Sequence, residues 1–136
     1  MKDILWLIGS ESDREQVEPA LDLMKEKLLG FDIFVFSAHR NLLELLDFLD
    51  AESKKYRVII AAAGLSAALP GVVASRVSAP VIGVPLVAGS LSGMDALLSI
   101  LQLPKGIPVA TMGIGRQGVL NAVHLAERII KIPQRS

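Results

Sequence analysis

His39 stands in Ser37-Ala38-His39-Arg40, directly after an apolar, β-rich run, and His124 is the only other histidine in the chain. An imidazole has an unperturbed pKa of about 6.5, so near neutral pH it can both give and take a proton. The adjacent Arg40 is a permanent cation whose planar fork suits a phosphate or a carboxylate. A lone loop histidine more often serves only to bond backbone. Its place after a strand, beside Arg40 and polar loops, weighs towards acid–base chemistry. His124 shares a helical stripe with Gln117, Asn121 and Arg128, opposite Ala122, Val123, Ala126 and Ile130, and reads as a solvated surface residue.

Two further segments could meet an anion. Gly9-Ser10-Glu11-Ser12-Asp13 combines a glycine, two hydroxyls and the start of a helix, where free amides receive phosphate oxygens. Ser12-Asp13-Arg14-Glu15 also spells a capping box, which explains the same residues without a ligand. With no G-x-G-x-x-G and no Walker lysine read in the chain, no dinucleotide or P-loop nucleotide is expected. Ala61 to Ala68, with Gly64, Leu65 and Ser66 at its centre, is small-chained. It suits close strand–helix packing and equally a cradle where backbone amides approach a carboxylate or flat ring. The Gly89–Met94 loop is either a flexible turn or a substrate cover.

The elements that must position these loops alternate along the chain. Strands are expected at 4–8, 31–36, 57–63, 81–84 and 108–112, where apolar runs are short and nearly continuous. Helices are expected from the 9–13 turn to about Leu29, with Val17, Leu21, Met24 and Leu28 on one face, and at 42–54, 66–77, 95–101 and 119–130. Five β–α units with short connections predict a doubly wound five-stranded parallel sheet with helices on both faces. The loops Gly9–Asp13, Ser37–Arg40 and Ala63–Ala68 all follow strands, so they should converge at the carboxyl edge, where such sheets bind ligands.

Composition removes several alternatives. Lysine plus arginine equals aspartate plus glutamate, 14 each, with no basic run, which argues against nucleic-acid or membrane-surface binding driven by charge. There is no cysteine, hence no disulfide or thiolate chemistry, and two histidines without carboxylates at ligand spacing make a metal site unexpected. Residues are 51% hydrophobic, yet the uncharged stretches 58–75 and 77–94 are broken by Gly64, Pro70-Gly71, Pro80, Gly83, Pro85 and Gly89. Such punctuation reads as strands and turns, not membrane spans. The apolar run 4–8 is too short for a secretory signal, so a cytoplasmic protein is expected.

Taken together, these loops resemble the PurE family of de novo purine biosynthesis. Its pattern, Gly-Ser-x-Ser-Asp, then Ser-Ala-His-Arg, then a glycine/alanine loop ending Leu-Pro-Gly, is matched by 9–13, 37–40 and 63–71. Leu91-Ser92-Gly93-Met94-Asp95, the run from Ser99 to Thr111, and Asn121-Ala122 match its later signatures. The resemblance spans 1–136 as one domain, without the longer C-terminal helical extension of many members. It implies a flavodoxin-like sheet, a homo-octamer with active sites at subunit contacts, and no metal or cofactor. The implied reaction moves a carboxylate in N5-carboxyaminoimidazole ribonucleotide from the exocyclic nitrogen to ring carbon 4, with His39 as acid and base. Ser10, Ser12 and Arg40 would hold the phosphate, Asp13 the ribose hydroxyls, and Ser37 would shape its loop. The Gly64, Leu65 and Ser66 segment would meet the migrating carboxylate. Ala68 replaces the bacterial histidine before Leu-Pro-Gly, Asn41-Leu42 replaces the usual Thr-Pro, and Ala62 a usual glycine. Arg40, where animal-type carboxylases carry lysine, points to the mutase. Ala68 leaves open direct carboxylation of aminoimidazole ribonucleotide, or a non-catalytic ribonucleotide-binding homologue.

Overall fold

The computed structural model describes residues 2–65 and 67–135. Its order is β1 (Ile4–Ile8), α1 (Arg14–Glu26), β2 (Phe31–Val35), α2 (Leu42–Glu52), β3 (Val58–Ala63), α3 (Leu69–Ala74), β4 (Val81–Pro85), α4 (Met94–Leu101), β5 (Ala110–Thr111) and α5 (Gly115–Ile130). Short 3-10 turns occupy Glu11–Asp13 and Ser53–Lys55. All strand pairings are parallel, in the order β2-β1-β3-β4-β5. That is the flavodoxin-like arrangement, whose direction of winding reverses between β1 and β3.

Strands β1 and β3 are buried throughout because helices cover both faces. Ile4, Trp6 and Ile8 lie with Val58, Ile60 and Ala62 under α1 and α5. Leu5 and Leu7 lie with Ile59, Ala61 and Ala63 under Leu45 and Leu49 of α2, Leu69 and Val73 of α3 and Ala96 of α4. The alternation of side chains along a strand therefore builds two cores from the same apolar runs. No helix among the described residues is long and apolar enough to cross a membrane.

Several boundaries differ from expectation. Helix α1 stops at Glu26, and Leu28, expected on its buried stripe, has φ +58° and is 92% exposed. The N–H of Leu28 donates to Lys25 and that of Leu29 to Met24, the two bonds of a Schellman closure, which turns Leu29 into the core instead. Helix α3 begins only at Leu69, because Pro70 has no N–H to continue a helix and belongs in a first turn. Strand β5 keeps only Ala110–Thr111, since Pro108 cannot donate to a ladder. The expected capping box is absent: the Asp13 side chain makes no cap bond, and Ser10 Oγ accepts the Ser12 N–H at 3.3 Å.

Candidate active site

The three loops converge as their positions after β1, β2 and β3 require. A cleft of about 370 Å³ is lined by Gly9, Ser10, Ser12 and Asp13, by Ser37 to Arg40, and by Ala63, Gly64 and Leu65, with Leu69 and Ala88 completing the wall. It lies at the reversal between β1 and β3, the ligand position of open parallel sheets. A recess of about 490 Å³ shares Gly9, Ser10, Ser37, His39, Arg40 and Leu65 and adds Val35 and Asn41. Ser66 lies outside the described residues.

The His39 loop is held by its own polar groups. Ser37 Oγ accepts the Arg40 N–H at 3.1 Å, the Asn41 side-chain oxygen accepts the Ser37 N–H at 3.5 Å, and the Asn41 N–H donates to the Ser37 carbonyl at 2.8 Å. This small turn projects His39 and Arg40 into solvent at the cleft mouth, and neither forms an ion pair among the described residues. His39 also borders a recess of about 490 Å³ lined by Ala68, Gly71, Val72, Leu103, Pro104 and Ile107, with Ser99 at its edge. The imidazole thus stands between a polar cleft and an apolar one.

Opposite, Ser10 Oγ and Ser12 Oγ are 2.9 Å apart and share one hydrogen bond, which leaves the pair lone pairs and one hydroxyl proton for a ligand. The Asp13 carboxyl is pushed up from the usual range by burial, partly offset by the backbone N–H of Ser10. Gly64 has no room for a side chain, since an added Cβ would stand 2.8 Å from Ala88 Cβ. Leu65 is 65% exposed at the mouth and lies against Gly89. Asn41, Leu69 and Ala88 escaped the sequence reading. Asn41 had a local signal, a side-chain oxygen four residues after Ser37, whereas nothing near Ala88 in sequence reveals the contact with Gly64. Against the expectation that the chain has none, a G-x-G-x-x-G stands at Gly113 to Gly118, running from the turn after β5 into α5. Its last glycine is required by packing, as an added Cβ would run into the Gly113 carbonyl oxygen.

A parallel 2-1-3-4-5 sheet whose reversal point carries paired hydroxyls, an arginine and an exposed imidazole defines a flavodoxin-like domain with a polar cleft at its carboxyl edge. The sequence of residues 3–136 matches the AIR carboxylase family. The chain belongs to that family. It is 43% identical over 131 residues to the N5-carboxyaminoimidazole ribonucleotide mutase of Brucella melitensis, covering 96% of this chain and 81% of the relative. It is 44% identical over 133 residues to the mutase of Saccharolobus solfataricus, covering 97% and 83%. Among solved structures, Treponema denticola PurE superposes with a TM-score of 0.86 at 27% identity, covering 98% of this chain and 83% of that one.

Proposed function

We propose that this protein is an N5-carboxyaminoimidazole ribonucleotide mutase of purine biosynthesis, with His39 as the proton carrier. The observation that carries the reading is the place of His39, on a turn between the hydroxyl-lined cleft and an apolar recess. Relatives bearing the mutase name over most of this chain support it. The imidazolium protonates the exocyclic nitrogen, the nitrogen–carboxyl bond breaks and carbon dioxide leaves. Ring carbon 4 attacks that carbon dioxide, and neutral His39 removes the ring-carbon proton, which restores aromaticity and returns the imidazolium. One proton is given and one taken, so a single group completes the cycle. Carbon dioxide is apolar, and the recess beside His39 offers it a mainly apolar lining.

In this reading Ser10, Ser12 and Arg40 bind the phosphate, Asp13 the ribose hydroxyls, and the Gly64–Leu65–Ser66 segment the moving carboxylate, while Ser37 braces the His39 turn. The enzyme works in the cytoplasm as a homo-octamer with sites at subunit contacts. Exposed Leu91, Met94, Leu98 and Leu101, spaced three, four and three along α4 and its approach, supply an apolar stripe for such contacts. Sedimentation tests the assembly. For the chemistry, the wild type is expected to convert the N-carboxylated substrate without free bicarbonate, and His39→Asn to lose that turnover. Turnover only of aminoimidazole ribonucleotide with bicarbonate would instead assign the direct carboxylase, the reading that Ala68 leaves open. A His39→Asn protein with wild-type rate would remove His39 from the chemistry.

A further inference from the structure

Strand β4 ends at Pro85, yet the chain continues as though laddered for one more residue: the Leu86 N–H donates to Ala63 at 3.0 Å. Both backbone groups of the following residue are then taken by one side chain from α1. Gln16 Nε2 donates to the Val87 carbonyl at 2.9 Å, and the Val87 N–H donates to Gln16 Oε1 at 3.0 Å. A carboxamide presents a donor and an acceptor side by side, as a peptide does, so Gln16 replaces the strand neighbour that Val87 lacks. The next two residues meet the candidate site. Ala88 lines the cleft and faces Gly64, and Gly89, at φ +67°, backs Leu65.

We infer that Gln16 is a positioning residue for the cleft, clamping the segment after β4 so that Ala88 and Gly89 hold Gly64 and Leu65 at the width the ribonucleotide needs. Gln16 is not among the residues lining the cleft, so its effect passes through the wall. The inference rests on the proposed mutase reading and adds to it a determinant of substrate affinity on α1. Because His39 is on a different loop, loss of the clamp should weaken binding of ground and transition states alike, raising KM and leaving kcat.

The test is steady-state kinetics of the full chain with N5-carboxyaminoimidazole ribonucleotide, comparing wild type, Gln16→Met and Gln16→Glu. Methionine keeps the bulk and removes both hydrogen bonds. Its KM is expected to rise about tenfold with kcat within about twofold of wild type. Glutamate keeps the acceptor, but when ionised it opposes the Val87 carbonyl. Its KM relative to wild type should fall towards one as pH is lowered into the carboxyl range, where the protonated acid again donates and accepts. An unchanged KM in Gln16→Met, with or without a lowered Tm, or a Gln16→Glu ratio independent of pH, overturns the clamp. A wild type that neither turns over nor binds the ribonucleotide in calorimetry removes the function and this inference together. An active wild type with an indifferent Gln16→Met removes this inference alone.

Discussion

The two ends of the sheet treat charge in opposite ways. At the amino end, Lys2 Nζ lies 2.7 Å from Asp32 Oδ1, and the Tyr56 hydroxyl donates to Asp32 Oδ2 at 2.7 Å. Lys2, and then Tyr56, hold the Asp32 carboxyl below its usual range, while burial and that same carboxylate push the Tyr56 phenol up. The Arg57 guanidinium donates to the carbonyl of Ile130 and, at 2.9 Å, to that of Ile132, where α5 ends and its dipole is negative. At the carboxyl end Asp13 is pushed up by burial, Arg40 and His39 stand exposed, and none of the three forms an ion pair among the described residues. Charges at one end are consumed by the fold. At the other, Glu11 and Arg14 pair with each other, while Asp13, His39 and Arg40 line the cleft outside any ion pair among the described residues.

The contrast is broken most directly by exchanging its consequences. Replacing the acid–base group, His39→Asn, should lower kcat/KM by roughly 10²–10⁴-fold and leave the urea midpoint near wild type. Arg57→Leu should do the reverse, losing about 1–3 kcal/mol in urea titration with kcat/KM unchanged, since a charged donor is withdrawn from two carbonyls. An inactive Arg57→Leu protein that remains folded would show that the ends are not independent.

Asp13→Asn sharpens the comparison within one residue. The native carboxyl titrates above its unfolded value, so its ionised form opposes folding, and the amide should raise Tm at neutral pH while raising KM for the ribonucleotide. The Tm gain should shrink as pH falls through the folded pKa, because wild-type Asp13 is then neutral as well. Asp32 has the opposite sign: its folded pKa is depressed, so its contribution is present above the unfolded value and is lost as pH falls through the folded one. A Tm gain that grows on acidification would reverse the assignment of Asp13. The smallest effect belongs to Leu28→Gly at the amino end. Glycine accepts the left-handed backbone and removes an exposed leucine, for a net gain of about 0.5–1 kcal/mol by urea titration with activity intact.

The strands and their loops were legible because the signal is local. Ile4–Ile8 and Val58–Ala63 read as strands buried on both faces from their unbroken apolar character, and a strand followed by Gly-Ser or Ser-Ala-His must end in a loop. Gly9, Ser10, Ser12, Asp13, Ser37, His39, Arg40, Gly64 and Leu65 therefore came to one cleft as expected. Helix ends were less legible, since Leu28 continues the apolar spacing of α1 but is turned out by a closure that usually calls for glycine.

By itself the sequence determined the alternation of strands and helices, the two-sided burial of the central strands, and the presence of a histidine beside a fixed cation in the loop after β2. These follow from apolar periodicity and side-chain chemistry, which are properties of neighbours along the chain. Only the tertiary structure decided the order of the strands, and with it the reversal that brings the loops after β1 and β3 together. It alone also decided that Gln16 would meet Val87 and that Gly64 would meet Ala88. The physical reason is distance along the chain. Such contacts depend on which faces bury against each other once both cores close, and local periodicity carries no record of that choice.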